Sequence, residues 1–503
     1  MSAKVHSTLP SALYSAQSVR QLDQYLIQEQ GIPATVLMKR AGRFAFEQLL
    51  RQWPEAKRLV VLCGGGNNGG DGYIVAALAQ AKNFEVTLRW LSDPATLTGA
   101  AAQAFQFAQQ EGVTMSAFDE QEQLAADVIV DGLLGTGLNA EVRGQMATAI
   151  AWINAQPAQV LALDLPSGIC ADTGAVMGQA VSANVTATFV GLKFGLFTGA
   201  GRACAGAVCF SDLQGDLSDC QLATKARRLD YESLIAALPA RGLDTHKHSF
   251  GHLAVVGGDE GMAGAALIAA QAGLRASAGM VSLISRPLTA QLALSRQPEL
   301  MALGVDAGIE AQEKCRQATA FVVGPGLGQG AWGEQLLAQV LACAQPTCID
   351  ADGLNLLAKQ ASYGLPNNSV ITPHPGEAAR LLGLSSAQVQ ADRAAAALAL
   401  VAKTDAVVVL KGAGSLVAFS DSEGPRLYLV DAGNPGMASA GMGDLLAGII
   451  GALLAQGLSA PQAAMLGAQV HAMAGDQMAE ADGQRGLLAT DLLPAVRWLL
   501  NGL

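Results

Sequence analysis

Short apolar runs recur along this chain, and many end in glycines, an aspartate, or both before a helix-length amphipathic segment begins. Runs such as Leu59–Cys63 and Val407–Leu410 are apolar throughout, as a strand is when both its faces are buried. Alternation with helices points to parallel sheets covered by helices, because parallel strands need crossover connections. The first half gives strand candidates at Arg58–Cys63, Glu85–Leu91, Asp127–Asp131 and Gln159–Asp164. Helical patterns over Ser18–Gln30 and Pro33–Leu50 precede them, and Pro94 is placed to open a helix.

The same grammar restarts at His252–Gly257, Val281–Ser285, Ala320–Gly324, Thr347–Asp350, Val370–Thr372 and Ala406–Leu410. Between the halves, Leu213–His248 is richer in charge and poor in strand patterning. A boundary within residues 215–245 is expected, with domains over 1–220 and 240–503. Charged residues at 15% and hydrophobic ones at 51% exclude extensive disorder. A net charge of −11 disfavours nucleic acid and anionic membrane as partners. The longest apolar stretch, Leu445–Leu458, is too short to span a bilayer. Eight cysteines form no CxxC pair, so buried reduced thiols are expected. With no apolar h-region near the N-terminus, a cytoplasmic protein is expected.

The strand Leu59–Cys63 runs into Gly64-Gly65-Gly66-Asn67-Asn68-Gly69-Gly70-Asp71-Gly72. Strand, bare backbone and helix start is an arrangement that holds phosphate on unpaired amides. The segment is not a Walker A loop, since no GK[ST] follows it. A turn needing positive φ is the alternative, but six glycines and two asparagines in nine residues exceed what a turn requires. Asp131, followed by Gly132-Leu133-Leu134-Gly135-Thr136-Gly137, and Asp164, followed by Leu165-Pro166-Ser167-Gly168, end two further strands. A lone strand-end aspartate is often a helix cap. Three such ends converge on one crevice of a parallel sheet. The oxygen-bearing Asn68, Asp131 and Ser167 could there hold a hard cation.

In the second half, four segments follow likely strand or helix ends: Gly324-Pro325-Gly326-Leu327-Gly328, Thr372-Pro373-His374-Pro375-Gly376-Glu377, Lys411-Gly412-Ala413-Gly414-Ser415 and Asn434 to Asp444. The last ends in Gly441-Met442-Gly443-Asp444 before an apolar helix over Leu445–Leu454. Its backbone amides suit an anion hole for phosphoryl transfer, and Asp444 is a candidate base for a hydroxyl. Asp444 could instead be a helix N-cap. Lys411 and its glycines read as a nucleotide cradle. His374, between two prolines, reads as a substrate contact, whereas His471 in an Ala-rich helix reads as packed.

GGGNNGGDG, DGLLGTG and DLPSG in this order resemble the epimerase domain of the bifunctional NAD(P)H-hydrate repair family, over roughly residues 15–215. GPGLG, HPGE, KGAGS and GMGD together resemble that family's dehydratase domain, over roughly residues 240–500. The fold class implied is α/β, with an N-terminal Rossmann-like and a C-terminal ribokinase-like α/β/α domain. The implied reactions are interconversion of the R and S hydrates of NADH and NADPH, then ADP-dependent dehydration of the S hydrate. The resemblance assigns Asn67, Asn68, Gly69, Gly70 and Asp71 to the hydrate in the first domain. Gly135, Thr136, Gly137, Leu138, Asn139, Ala140, Glu141 and Asp164 join them. It gives Asn68, Asp131 and Ser167 to K+, and Asp164 is the candidate acid/base. In the second domain Ala265, Gly326, His374 and Asp444 face the hydrate, while Lys411, Gly412, Ala413, Gly414, Ser415 and Gly443 hold the nucleotide. Mg2+ is expected to neutralise the transferred group, and a homo-oligomer is expected.

Two positions depart from the family pattern: Ala440 stands where glycine is frequent, and Ser415 where threonine is. Ala440 would cost rate if its position needs positive φ. The rival enzyme reading is a ribokinase-like small-molecule kinase with an accessory nucleotide domain. A binding module or scaffold is the non-enzymatic rival. An ordinary NAD dehydrogenase is the weaker third reading.

Overall fold

The computed structural model describes residues 9–220, 222–306, 312–360 and 364–503. The chain divides into two compact units, Met1–Arg227 and Arg228–Leu503.

The first unit is built on a seven-stranded sheet. In space its order is Thr114–Ala117, Glu85–Trp90, Arg58–Cys63, Val128–Gly132, Gln159–Leu163, Val185–Phe189 and Ala207–Ser211, all parallel. The central strands are buried on both faces, which explains their unbroken apolar runs. Helices Ala34–Gln52, Asn67–Ala81 and Gly99–Gln110 pack one core around Phe46, Leu49, Tyr73 and Ile74. Helix Gly144–Ala155 packs a second core through Ile150 and Ile153. Strand order reverses between Arg58–Cys63 and Val128–Gly132. Loops leaving the carboxyl ends of such neighbours splay apart and open a crevice.

The second unit repeats that logic. Met301–Gly304, Met280–Ser285, His252–Val256, Ala320–Val323, Thr347–Ile349, Val370–Ile371 and Val407–Leu410 run parallel in that order. An antiparallel hairpin, Ser415–Asp421 with Gly424–Val430, extends the sheet. Helix Met442–Ala455 lies against Ala263–Arg275 and the sheet centre. A Cβ on Gly448 would collide with the Ala269 carbonyl, and one on Gly451 with Val322. Those two glycines permit the close approach.

Several expectations need correction. The hairpin, Val185–Phe189 and Ala207–Ser211 are strands the apolar-run criterion does not find. The charged segment 213–248 is not devoid of structure: it holds strand Ala226–Arg228 and helix Tyr231–Ile235. Among the described residues no cysteine is in a disulfide; Cys63, Cys209, Cys315 and Cys348 are buried, while Cys170, Cys204, Cys220 and Cys343 are partly exposed. No helix among the described residues is long and apolar enough to cross a membrane.

Candidate active sites

In the first unit the glycine segment is shorter as a loop than its composition suggests. Gly66 caps a helix that already begins at Asn67, so Asn67 to Gly72 form its first turns. Their amides therefore face the crevice as a helix N-terminus. A cavity of about 550 Å³ opens there. Asn67, Asn68, Asp71, Gly135 to Leu138 and Asp164 line it, whereas Gly69 and Gly70 do not. Asn139, Ala140 and Glu141 do not; Glu141 instead pairs with exposed Arg143 at 2.8 Å. Asp164 has φ +64, a left-handed backbone rare for a non-glycine residue. Its Oδ2 accepts from Thr136 N at 3.2 Å, and its Oδ1 is ion-paired with Lys193.

Asp131 and Ser167 are fully buried. Asp131 accepts from Ser167 Oγ at 2.6 Å, Ser167 N at 2.8 Å and Leu133 N at 3.2 Å, all neutral donors. The Asn68 carboxamide is buried with neither its oxygen nor its nitrogen hydrogen-bonded. Burying a polar group without a partner is costly. An orphaned amide oxygen and a buried carboxylate with neutral donors fit a weakly hydrated cation such as K+. The sequence reading missed Lys193, Asp23 and Arg20, which also line the cavity. Lys193 carried a signal: it is the lone charge within the apolar run 189–197.

In the second unit the helix bearing Asp444 starts at Met442, three residues earlier than expected. Its N-cap is Gly441 at φ +88, so Asp444 is the third helical residue and not the cap. The first intrahelical bond runs from Leu445 N to Gly441 O at 2.9 Å. The amides of Met442, Gly443 and Asp444 thus have no acceptor within the helix. Ala440 is not among the positive-φ residues, so its methyl brings no backbone strain. The left-handed turn falls on Gly441 instead.

Lys411 is no solvated loop lysine. Its Nζ donates to Asp350 Oδ1 at 2.6 Å and lies 3.9 Å from Glu377 Oε2. Gly443 adjoins this pair: a Cβ there would sit 3.1 Å from Lys411 Nζ and 3.4 Å from Asp350 Oδ2. Asp350 is also fixed by Thr372 Oγ1 at 2.9 Å. Burial pulls the Lys411 ammonium downward, but Asp350 and Glu377 outweigh it and hold the pKa above its usual value. Burial pushes the Asp444 carboxyl up to about 7; Asp350 adds to this and Lys411 opposes it.

The glycines after Lys411 form a turn into the hairpin, not a strand-to-helix loop. Ser415 Oγ donates to Gly412 O at 3.2 Å. Arg393, 1% exposed, holds the turn from inside by donating to Leu410 O, Lys411 O and Gly414 O at 3.3 Å each. Sequence gave no hint of it, for it lies outside every motif. Gly326, at φ +58, abuts Ala265, whose Cβ a methyl on Gly326 would meet at 3.3 Å. His374 caps helix Pro375–Leu382: its Nδ1 accepts from Gly376 N at 3.0 Å, and half of its side chain stays exposed. His471 is only partly exposed, with its Nε2 buried and without a hydrogen-bond partner; burial of the ring pushes its pKa down to about 4.

Comparisons with known proteins agree with both units. The family model described as YjeF-related protein N-terminus matches residues 34–195, and that described as NAD(P)H-hydrate dehydratase matches 253–497. A bifunctional NAD(P)H-hydrate repair enzyme from Coxiella burnetii is 44% identical over 98% of this chain and 100% of its own length. Its Escherichia coli counterpart is 42% identical over 98% of this chain and 95% of its own. A ribokinase-like superfamily protein of known structure from Enterococcus faecalis is 28% identical, with a TM-score of 0.51. That match covers 56% of this chain and 98% of that one. Two successive domain matches and relatives aligned nearly end to end lead to one conclusion: the chain belongs to the family of bifunctional NAD(P)H-hydrate repair enzymes.

Proposed function

We propose that the first unit interconverts the R and S hydrates of NADH and NADPH, and that the second dehydrates the S hydrate with ADP. The observation that carries this is chemical. Each unit sets a carboxyl (Asp164 or Asp444) beside a helix N-terminus at the carboxyl ends of a parallel sheet. Both features suit a dinucleotide hydrate whose phosphates need amides and whose C6 carbinol needs proton transfer.

In the second unit Asp444 takes the proton from the C6 hydroxyl as the terminal phosphoryl group of ADP moves to that oxygen. AMP leaves. Elimination of phosphate with the C5 proton then restores the dihydronicotinamide ring. The free amides at Met442 to Asp444 receive the phosphoryl oxygens, and Lys411, poised on Asp350, adds positive charge. Lys411 to Ser415 and Gly443 hold the nucleotide; Ala265, Gly326 and His374 hold the hydrate. Among the described residues no three His, Cys, Asp or Glu side chains cluster as a metal cage. Mg2+ bound to the phosphates of ADP would neutralise charge on the transferred group.

In the first unit Asn67, Asn68, Asp71 and Gly135 to Leu138 contact the hydrate. Asn68, Asp131 and Ser167 would hold K+, which would supply positive charge to the buried Asp131 carboxylate. The chain works in the cytosol, where its partly exposed cysteines stay reduced. It self-associates, which light scattering can check. A ribokinase-like kinase would leave a stable phosphorylated product. Incubating the hydrate with ADP and following the absorbance of reduced nicotinamide separates the two: recovery supports repair, and accumulation of a phosphorylated hydrate contradicts it.

A further inference from the structure

The cavity of the first unit holds more acid than gripping a dinucleotide requires. Asp23, Asp71 and Asp164 line it, with Lys193 and Arg20. The lysine is committed: it is 1% exposed and donates to Asp164 Oδ1, to Thr188 Oγ1 at 3.0 Å and to Phe189 O at 2.9 Å. Asp164, strained at φ +64, is thereby held as one half of an ion pair. Such strain persists only where the surroundings enforce it. Asp71 has the opposite surroundings. It is 8% exposed, and among the described residues its carboxyl has neither a hydrogen-bond donor nor a cation in contact. Two carboxyls in one cavity with unlike environments are the arrangement that separates an acid from a base.

We propose that Asp71 is the general acid of the epimerisation and Asp164 its general base. This rests on reading the first unit as the hydrate epimerase. Asp71 donates its proton to the C6 hydroxyl. The C6–O bond breaks, water leaves, and the N1 lone pair forms an N1=C6 double bond, giving a planar cationic ring. Water then adds to the opposite face of C6 and gives its extra proton to Asp164, and solvent carries that proton back to Asp71. The C5 hydrogens stay in place and nothing is oxidised or reduced. An acid-lined cavity favours this route, since the intermediate is positively charged.

Burial pushes the Asp71 carboxyl well above its usual range; the charges of Asp164 and Asp23 add to this, and Lys193 opposes it. Cys63, whose own thiol burial pushes far up, is a further titratable group facing it.

The test uses the full chain without ADP and R hydrate carrying 18O in its C6 hydroxyl. Wild type is expected to form S hydrate and to lose the label at the rate of epimerisation. Asp71→Asn is expected to lower kcat by about 10²–10⁴-fold while KM stays within about threefold. Label retained through complete epimerisation by wild type would overturn the proposal. So would an Asp71→Asn enzyme whose kcat stays within about twofold of wild type, or one that loses hydrate binding by calorimetry along with turnover. If Asp71→Asn fails to fold, the label in wild type decides alone. Wild type unable to epimerise at all would overturn the reading of the first unit as well, a result distinct from a failure at Asp71.

Discussion

At the scale of single residues, Asp444 and Lys411 are set against one another around Asp350. Asp350 pairs with Lys411 at 2.6 Å and, behind the larger effect of burial, helps raise the Asp444 carboxyl to about 7. A base must be ionised to take a proton. The rate of dehydration is therefore expected to rise with pH through about 7 and then level. A pH–rate profile of ADP-dependent NADH recovery checks this; a profile falling across that range would assign Asp444 the role of an acid. Asp444→Asn is expected to lower dehydration by about 10²–10⁴-fold and to leave epimerisation untouched. Asp164→Asn should do the reverse, read by separating the two hydrates chromatographically.

At the scale of elements, position within a helix or turn decides what each motif can do. Composition pointed to Gly-Met-Gly-Asp as a loop before a helix, yet helix Met442–Ala455 already includes three of its four residues. The reason lies in Gly441, whose φ of +88 turns the chain sharply enough for the helix to start one residue later. Gly441→Ala is expected to cost about 1–3 kcal/mol from backbone strain alone, seen as a lower melting temperature. Arg393→Met should also weaken the second unit, since it orphans carbonyls that each cost about 1–3 kcal/mol when buried unsatisfied. The same variant should raise the KM for ADP by loosening the turn at Lys411–Ser415. Wild-type KM in a folded Arg393→Met protein would show that the turn holds without it.

Elements buried on both faces were legible from the chain because burial demands unbroken apolar runs, as in Val128–Val130. Val185–Phe189 escaped that criterion because Thr186 and Thr188, both fully buried, interrupt it. The hairpin escaped because its outer end, Phe419 to Arg426, mixes polar residues with apolar ones. Motif glycines and strand-end aspartates point to the candidate sites, whereas Arg393 and Asp23 sit beside them through chain segments distant in sequence that no spacing encodes.

At the scale of the whole molecule, two doubly wound units carry one chemistry each, and their stabilities should respond to pH separately. His471 is half-buried in the second unit, and burial of its ring lowers its pKa to about 4. Between its ordinary value of 6.5 and 4 the unfolded chain binds a proton that the folded chain does not. Stability of the second unit should thus fall as pH drops through that window, and His471→Gln should flatten the fall in melting temperature. The most direct test of the two-site account supplies pure R hydrate with ADP and follows the return of reduced-nicotinamide absorbance. Wild type is predicted to restore it fully. Asp444→Ala should convert R hydrate to a mixture without recovery, and Asp164→Asn should recover only when S hydrate is given. Full recovery from R hydrate by either variant would contradict the division of labour between the two units.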